Sequence, residues 1–72
     1  MINNNKNDRF KRLAKTRGDL AVRYLRLLGN LSNTNNYEFT DDEVRKVFAV
    51  IEEELKHSKM RFSSRKKREI EF

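Results

Sequence analysis

The chain has 72 residues, of which 36% are hydrophobic and 39% charged, and carries a net charge of +6. So short a chain is expected to form one domain with a small core, and the excess of charge favours long exposed helices over a globule. No cysteine is present, and only one histidine and two glycines, which excludes disulfides, a thiolate nucleophile, the usual zinc sets and a glycine-rich phosphate loop.

The first ten residues, MINNNKNDRF, lack the apolar centre of a secretion signal, and no later run is apolar enough to span a bilayer. The expectation is a cytoplasmic protein without a membrane segment. Charge is unevenly spread. Residues 1–29 carry eight Lys/Arg against two Asp/Glu, residues 30–55 two against seven, and residues 56–72 seven against two. Basic ends suit a polyanion, and an acidic middle supplies an internal counter-charge. The plainer alternative is that the charge only keeps a small helical protein in solution.

In chain order, residues 1–7 are expected to be disordered. From Asp8 to Leu28, Phe10, Leu13, Leu20, Tyr24, Leu27 and Leu28 recur in steps that place them on one helical face, joined by Ala14 and Ala21. Asn7 or Asp8 is positioned to cap the start, and Gly29 stands where a left-handed C-terminal residue is wanted. Gly18 weakens the middle by about 1 kcal/mol relative to alanine, which predicts close packing or a slight bend. Residues 17–19 spell Arg-Gly-Asp, but mid-helix that tripeptide is a coincidence of composition.

The stretch LLGNLSNTNNYEFTDDE over residues 27–43 reads as a shaped corner rather than a slack linker. Asn30, Asn33, Asn35 and Asn36 suit tight turns because their side chains bond nearby backbone and tolerate left-handed conformations. Leu31, Tyr37 and Phe39 are apolar enough to pin the connection. Exposed, Tyr37 and Phe39 would instead offer stacking platforms for single-stranded bases.

A second helix follows. Thr40 as N-cap with Glu43 three residues on makes a capping box, and Phe39 and Val44 have the spacing of a hydrophobic staple. Asp41, Asp42 and Glu43 place negative charge where the helix dipole favours it. Val44, Val47, Phe48, Ile51, Leu55 and Phe62 mark one face, so the helix should run to about Phe62. In an antiparallel pairing Leu28 lies near Val44, Leu20 and Ala21 near Ile51, and Phe10 near Phe62. Arg17 then falls in the apolar seam, where it either pairs with Glu54 or Glu52 or reaches out to a ligand; the ion pair is preferred, since arginine is seldom buried without a carboxylate.

Two helices bury little on their own. Val22 and Leu25 on the first helix, with Ala49, Val50 and Met60 on the second, remain over once a hairpin closes. They point to a dimeric four-helix bundle or to docking on another protein. The tail, residues 63–72, holds Arg65, Lys66, Lys67 and Arg68, followed by Ile70 and Phe72 as possible anchors for a partner. His57 is expected to face solvent or cap a helix. The adjacent Glu52, Glu53 and Glu54 splay around the helix and cannot converge on a metal or act as an acid–base pair.

The segments RLLGNLSN, NNYEFT and EVRKVFAVIEEEL, with Phe62, resemble a group of small helical proteins from mobile elements of low-GC Gram-positive bacteria. The similarity covers roughly Asp8 to Phe62 and is most distinctive at the corner. Genes of this group tend to sit among replication or transfer genes. Within it, the chain is similar to a small partner of a family-A DNA polymerase of staphylococcal cassette elements, and the basic tail lies outside the resemblance. No catalytic motif carries over.

The resulting expectation is an all-α, long antiparallel helical hairpin with an ordered Asn-rich corner, dimeric or docked on a partner. The expected role is a non-enzymatic accessory factor in DNA processing, without cofactor or metal. It would contact DNA, largely regardless of base sequence, through Lys11, Arg12, Lys15, Arg23, Arg26, Arg65, Lys66, Lys67 and Arg68. It would hold a larger replication or transfer protein through Val22, Leu25, Val50, Met60, Ile70 and Phe72. The alternative is a protein-binding adaptor or inhibitor with no nucleic-acid role.

Overall fold

A computed structural model describes residues 5–66, with side chains as far as Ser63. The chain is all-α. Helix α1 spans Asn5–Gly29, a 3-10 turn covers Asn30–Ser32, and helix α2 spans Asp41–Lys66. The chain divides into two units, one up to Glu38 and one from Phe39 onward.

Helix α1 begins three residues before the expected Asp8. Asn7 and Asp8 therefore lie inside the helix and do not cap it, although Asp8 still places a carboxylate in the first turn, where the dipole stabilises it. Within the helix Thr16 Oγ1 donates to the Arg12 carbonyl at 3.0 Å, and Lys15 Nζ lies 2.9 Å from Asp19 Oδ2. A Cβ added at Gly18 would meet nothing within 4 Å, so of the two readings of that glycine, close packing or a slight bend, the first is not found.

The corner is ordered, but by a different device from the one expected. Gly29 is right-handed, with φ −62° and ψ −27°, and no described residue has positive φ. Instead of stopping in a left-handed cap, α1 tightens into the 3-10 turn, whose i to i+3 bonding occupies carbonyls that the helix end leaves open. Asn33 then turns the chain out of the helix, with ψ 101°. Its N–H donates to the Asn30 carbonyl at 3.3 Å, and its own carbonyl accepts from Asn36 N at 3.1 Å and Tyr37 N at 3.0 Å. Its side-chain Oδ1 accepts from Asn35 N at 3.0 Å, an Asx turn. Of the four asparagines, Asn33 is the one whose side chain bonds backbone among the described residues; Asn30 and Asn36 contribute through their main chain.

Helix α2 opens as the residue pattern requires. Thr40 N donates to Glu43 Oε1 at 2.9 Å, and Glu43 N donates to Thr40 Oγ1 at 3.0 Å. The two bonds satisfy two donors reciprocally. The Val44 N–H adds a bond to the Thr40 carbonyl at 3.1 Å. The helix continues to Lys66, four residues beyond Phe62, so Arg65 and Lys66 belong to its last turn. Lys67, Arg68, Ile70 and Phe72 lie outside the described residues. Among the described residues no side chain is fully buried, and Leu13, Leu28, Ile51 and Ser58 are the half-buried ones.

Candidate nucleic-acid interface and apolar surfaces

At about 100° per residue, an α-helix sorts α1 into two sides. Arg12, Lys15, Arg23 and Arg26 fall within about 80° of one another, and Lys11 lies about 40° further round. Between Lys11 and Arg26 this side runs about 22 Å along the axis. Asp8 and Asp19 interrupt it. Asp19 engages Lys15 in an exposed i, i+4 pair, while Lys11, Arg12, Arg23 and Arg26 form no ion pair within α1 among the described residues. Four cations thus stand open to solvent in a row on one helix.

Charge on α2 is arranged differently. Asp42 Oδ1 lies 3.2 Å from Arg45 Nη2, and Asp42 Oδ2 lies 3.4 Å from Lys46 Nζ. His57 Nε2 lies 3.0 Å from Glu53 Oε2. All are exposed pairs three or four residues apart on one helix, the spacing at which side chains meet. Among the described residues Asp42 and Glu53 are the α2 carboxylates that meet a basic side chain, and Asp41, Glu43, Glu52 and Glu54 form no such pair. His57 sits at the surface against a carboxylate, facing solvent as expected. No group of three or more His, Cys, Asp or Glu suited to a metal occurs among the described residues. No described helix is long and apolar enough to cross a membrane.

The opposite side of α1 is apolar over about 140°, from Leu27 round to Ala14, and about 160° if Leu25 is included. Arg17 stands near its centre and makes no ion pair within α1. Tyr24 is 65% exposed and Leu27 52%. On α2 the apolar stripe from Val47 to Phe48 is narrower, about 100°. Tyr37 and Phe39 in the corner are both partly exposed.

The expected partner-binding residues separate. Val22 and Leu25 are neighbours on α1, about 60° apart and both exposed. Val50 and Met60 do not form one patch, being about 80° apart and about 15 Å distant along α2. Met60 instead borders a shallow depression with Glu52, Leu55, Lys56, Lys59 and Ser63. Two features escaped the residue pattern: the Lys15–Asp19 pair, whose i, i+4 spacing was visible, and Asn33 as organiser of the corner. Comparison with protein-family models, curated proteins and solved structures found no match.

Proposed function

We propose that this protein is a non-enzymatic accessory factor in DNA processing, acting in the replication, priming or transfer of a mobile element. It works in the cytoplasm, contacts DNA through the basic side of α1 and the basic residues from Arg65 to Arg68, and holds a larger replication or transfer protein through apolar surface. The observation that carries this reading is the contrast between the helices. On α2 six Asp/Glu stand against seven Lys/Arg, and Asp42 meets both Arg45 and Lys46, whereas α1 holds eight Lys/Arg against two Asp/Glu. On α1, Lys11, Arg12, Arg23 and Arg26 are left for an external anion. A row of that kind neutralises phosphates without reading bases. The residue resemblance around Leu28–Thr40 supports the mobile-element setting.

The test is fluorescence anisotropy of labelled single- and double-stranded DNA at two salt concentrations. Binding should weaken steeply with salt, because each neutralised phosphate releases a counterion. Replacing Arg12, Arg23 and Arg26 together with alanine should flatten that dependence. Absence of binding at low salt would refute the DNA role and leave the second reading, an adaptor or inhibitor acting on protein alone, which the wide exposed stripe of α1 favours. Repeating the titration with RNA of the same sequence tells the two nucleic acids apart.

A further inference from the structure

The open cations of α1 are not evenly spread along it. Lys11 and Arg12 stand side by side in its first half, and Arg23 and Arg26 stand together near its end. About 16.5 Å of helix separates Arg12 from Arg23. On the basic side this interval holds Thr16, Val22 and one charged pair, in which Lys15 Nζ lies 2.9 Å from Asp19 Oδ2. Arg17 belongs to the opposite, apolar side. Asp8 and Arg9 flank the first cation pair with opposite signs and leave its net charge unchanged. The basic side is therefore two cation pairs joined by a neutral bridge, and the Lys15–Asp19 contact makes the bridge neutral. We propose that α1 crosses the major groove of a DNA duplex, with Lys11 and Arg12 on the phosphates of one strand and Arg23 and Arg26 on those of the other.

The inference rests on the DNA role proposed above and adds which form of DNA is bound, and where. A helix laid along one strand meets phosphates in unbroken succession, about one per 3.4 Å of duplex axis. Some of them would then fall on the neutral bridge, beside the Asp19 carboxylate, where they gain nothing and are repelled. A free single strand presents the same unbroken succession. A helix that crosses a groove meets phosphates at the two walls and none between, which is the pattern of the cations on α1. The major groove is about 12 Å wide and the minor groove about 6 Å, and phosphate centres lie somewhat beyond the walls. A separation of about 16.5 Å between the two pairs therefore suits the major groove and overshoots the minor one. All four contacts go to phosphates, so they fix the protein on the duplex without reading its bases.

The full chain is titrated against a short DNA duplex and against one of its strands alone, with helicity followed by circular dichroism. The duplex should bind at least about tenfold more tightly. Asp19→Arg, at an exposed position, turns the neutral bridge into a continuous cationic row. It should tighten single-strand binding severalfold more than duplex binding. Replacing Lys11 and Arg12 with alanine, or Arg23 and Arg26, should in either case lower the salt slope on the duplex by about 1.8, the value for two phosphates. In mobility-shift competition the major-groove ligand methyl green should displace the protein, and the minor-groove ligand netropsin should not. Equal affinity for the two forms, an equal gain from Asp19→Arg on both, or displacement by netropsin alone overturns the groove crossing and leaves the DNA role standing. Failure to bind either form at low salt overturns both.

Discussion

Thr40→Ala tests the local logic of the fold most directly. The substitution removes Oγ1, the acceptor for the Glu43 N–H at 3.0 Å, and leaves that donor to water. It leaves intact the Thr40 N–H, which donates to Glu43 Oε1 at 2.9 Å. Loss of an N-cap hydroxyl costs about 0.5–2 kcal/mol. Both residues are exposed, so water takes over part of the lost bond and a value of about 1 kcal/mol is expected. In a domain of this size that lowers Tm by about 4–8 °C. Because the two bonds hold the same turn, removing Glu43 as well should cost less than the two single losses together. Thermal and urea unfolding followed by circular dichroism at fixed protein concentration, for Thr40→Ala, Glu43→Ala and the double variant, supply the cycle. Thr40→Ser should behave like the parent. If Thr40→Ala leaves Tm unchanged, or the two losses simply add, the capping box does not hold the start of α2 and the reasoning fails.

Gly18→Ala should stabilise α1 by about 0.5–1 kcal/mol, since the added Cβ meets nothing within 4 Å and glycine costs about that much in a helix interior; a fall in Tm would reveal a close neighbour at this position. Asp19→Ala should release Lys15 from its 2.9 Å pair, raise DNA affinity severalfold at low salt and steepen the salt dependence, while changing stability by about 0.5 kcal/mol or less. Unchanged anisotropy titrations for Asp19→Ala would place DNA contact elsewhere than on this side of α1.

Much of the local structure was legible because its causes are local. A helix forms from bonds between residues four apart, so the spacing of Leu13, Leu20, Tyr24 and Leu27 locates α1, and the spacing of Val47, Ile51 and Leu55 locates α2. The Thr40–Glu43 box was readable for the same reason: both partners lie within one turn. The helix ends were less legible. Nothing between Asn5 and Asp8 forbids helix, and nothing between Phe62 and Lys66 does either, so the apolar pattern ran out before the helices did. The basic side of α1 followed from counting charges. That Asp42 would take both Arg45 and Lys46, and Asp19 would take Lys15, required positions for the side chains, since several i, i+3 and i, i+4 partners were available.

By itself, then, the sequence determined the helical class, the start of α2 and the amphipathic division of α1. Coordinates decided how the corner is made. Four asparagines and a glycine offer many turns of similar energy, and composition does not rank them. In the structure α1 tightens through Asn30–Ser32, Gly29 stays right-handed, and Asn33 gathers three of the bonds that shape the turn through its two oxygens. The physical reason is that a turn is chosen by several backbone groups finding partners at once, which is a property of their joint positions and not of any one residue.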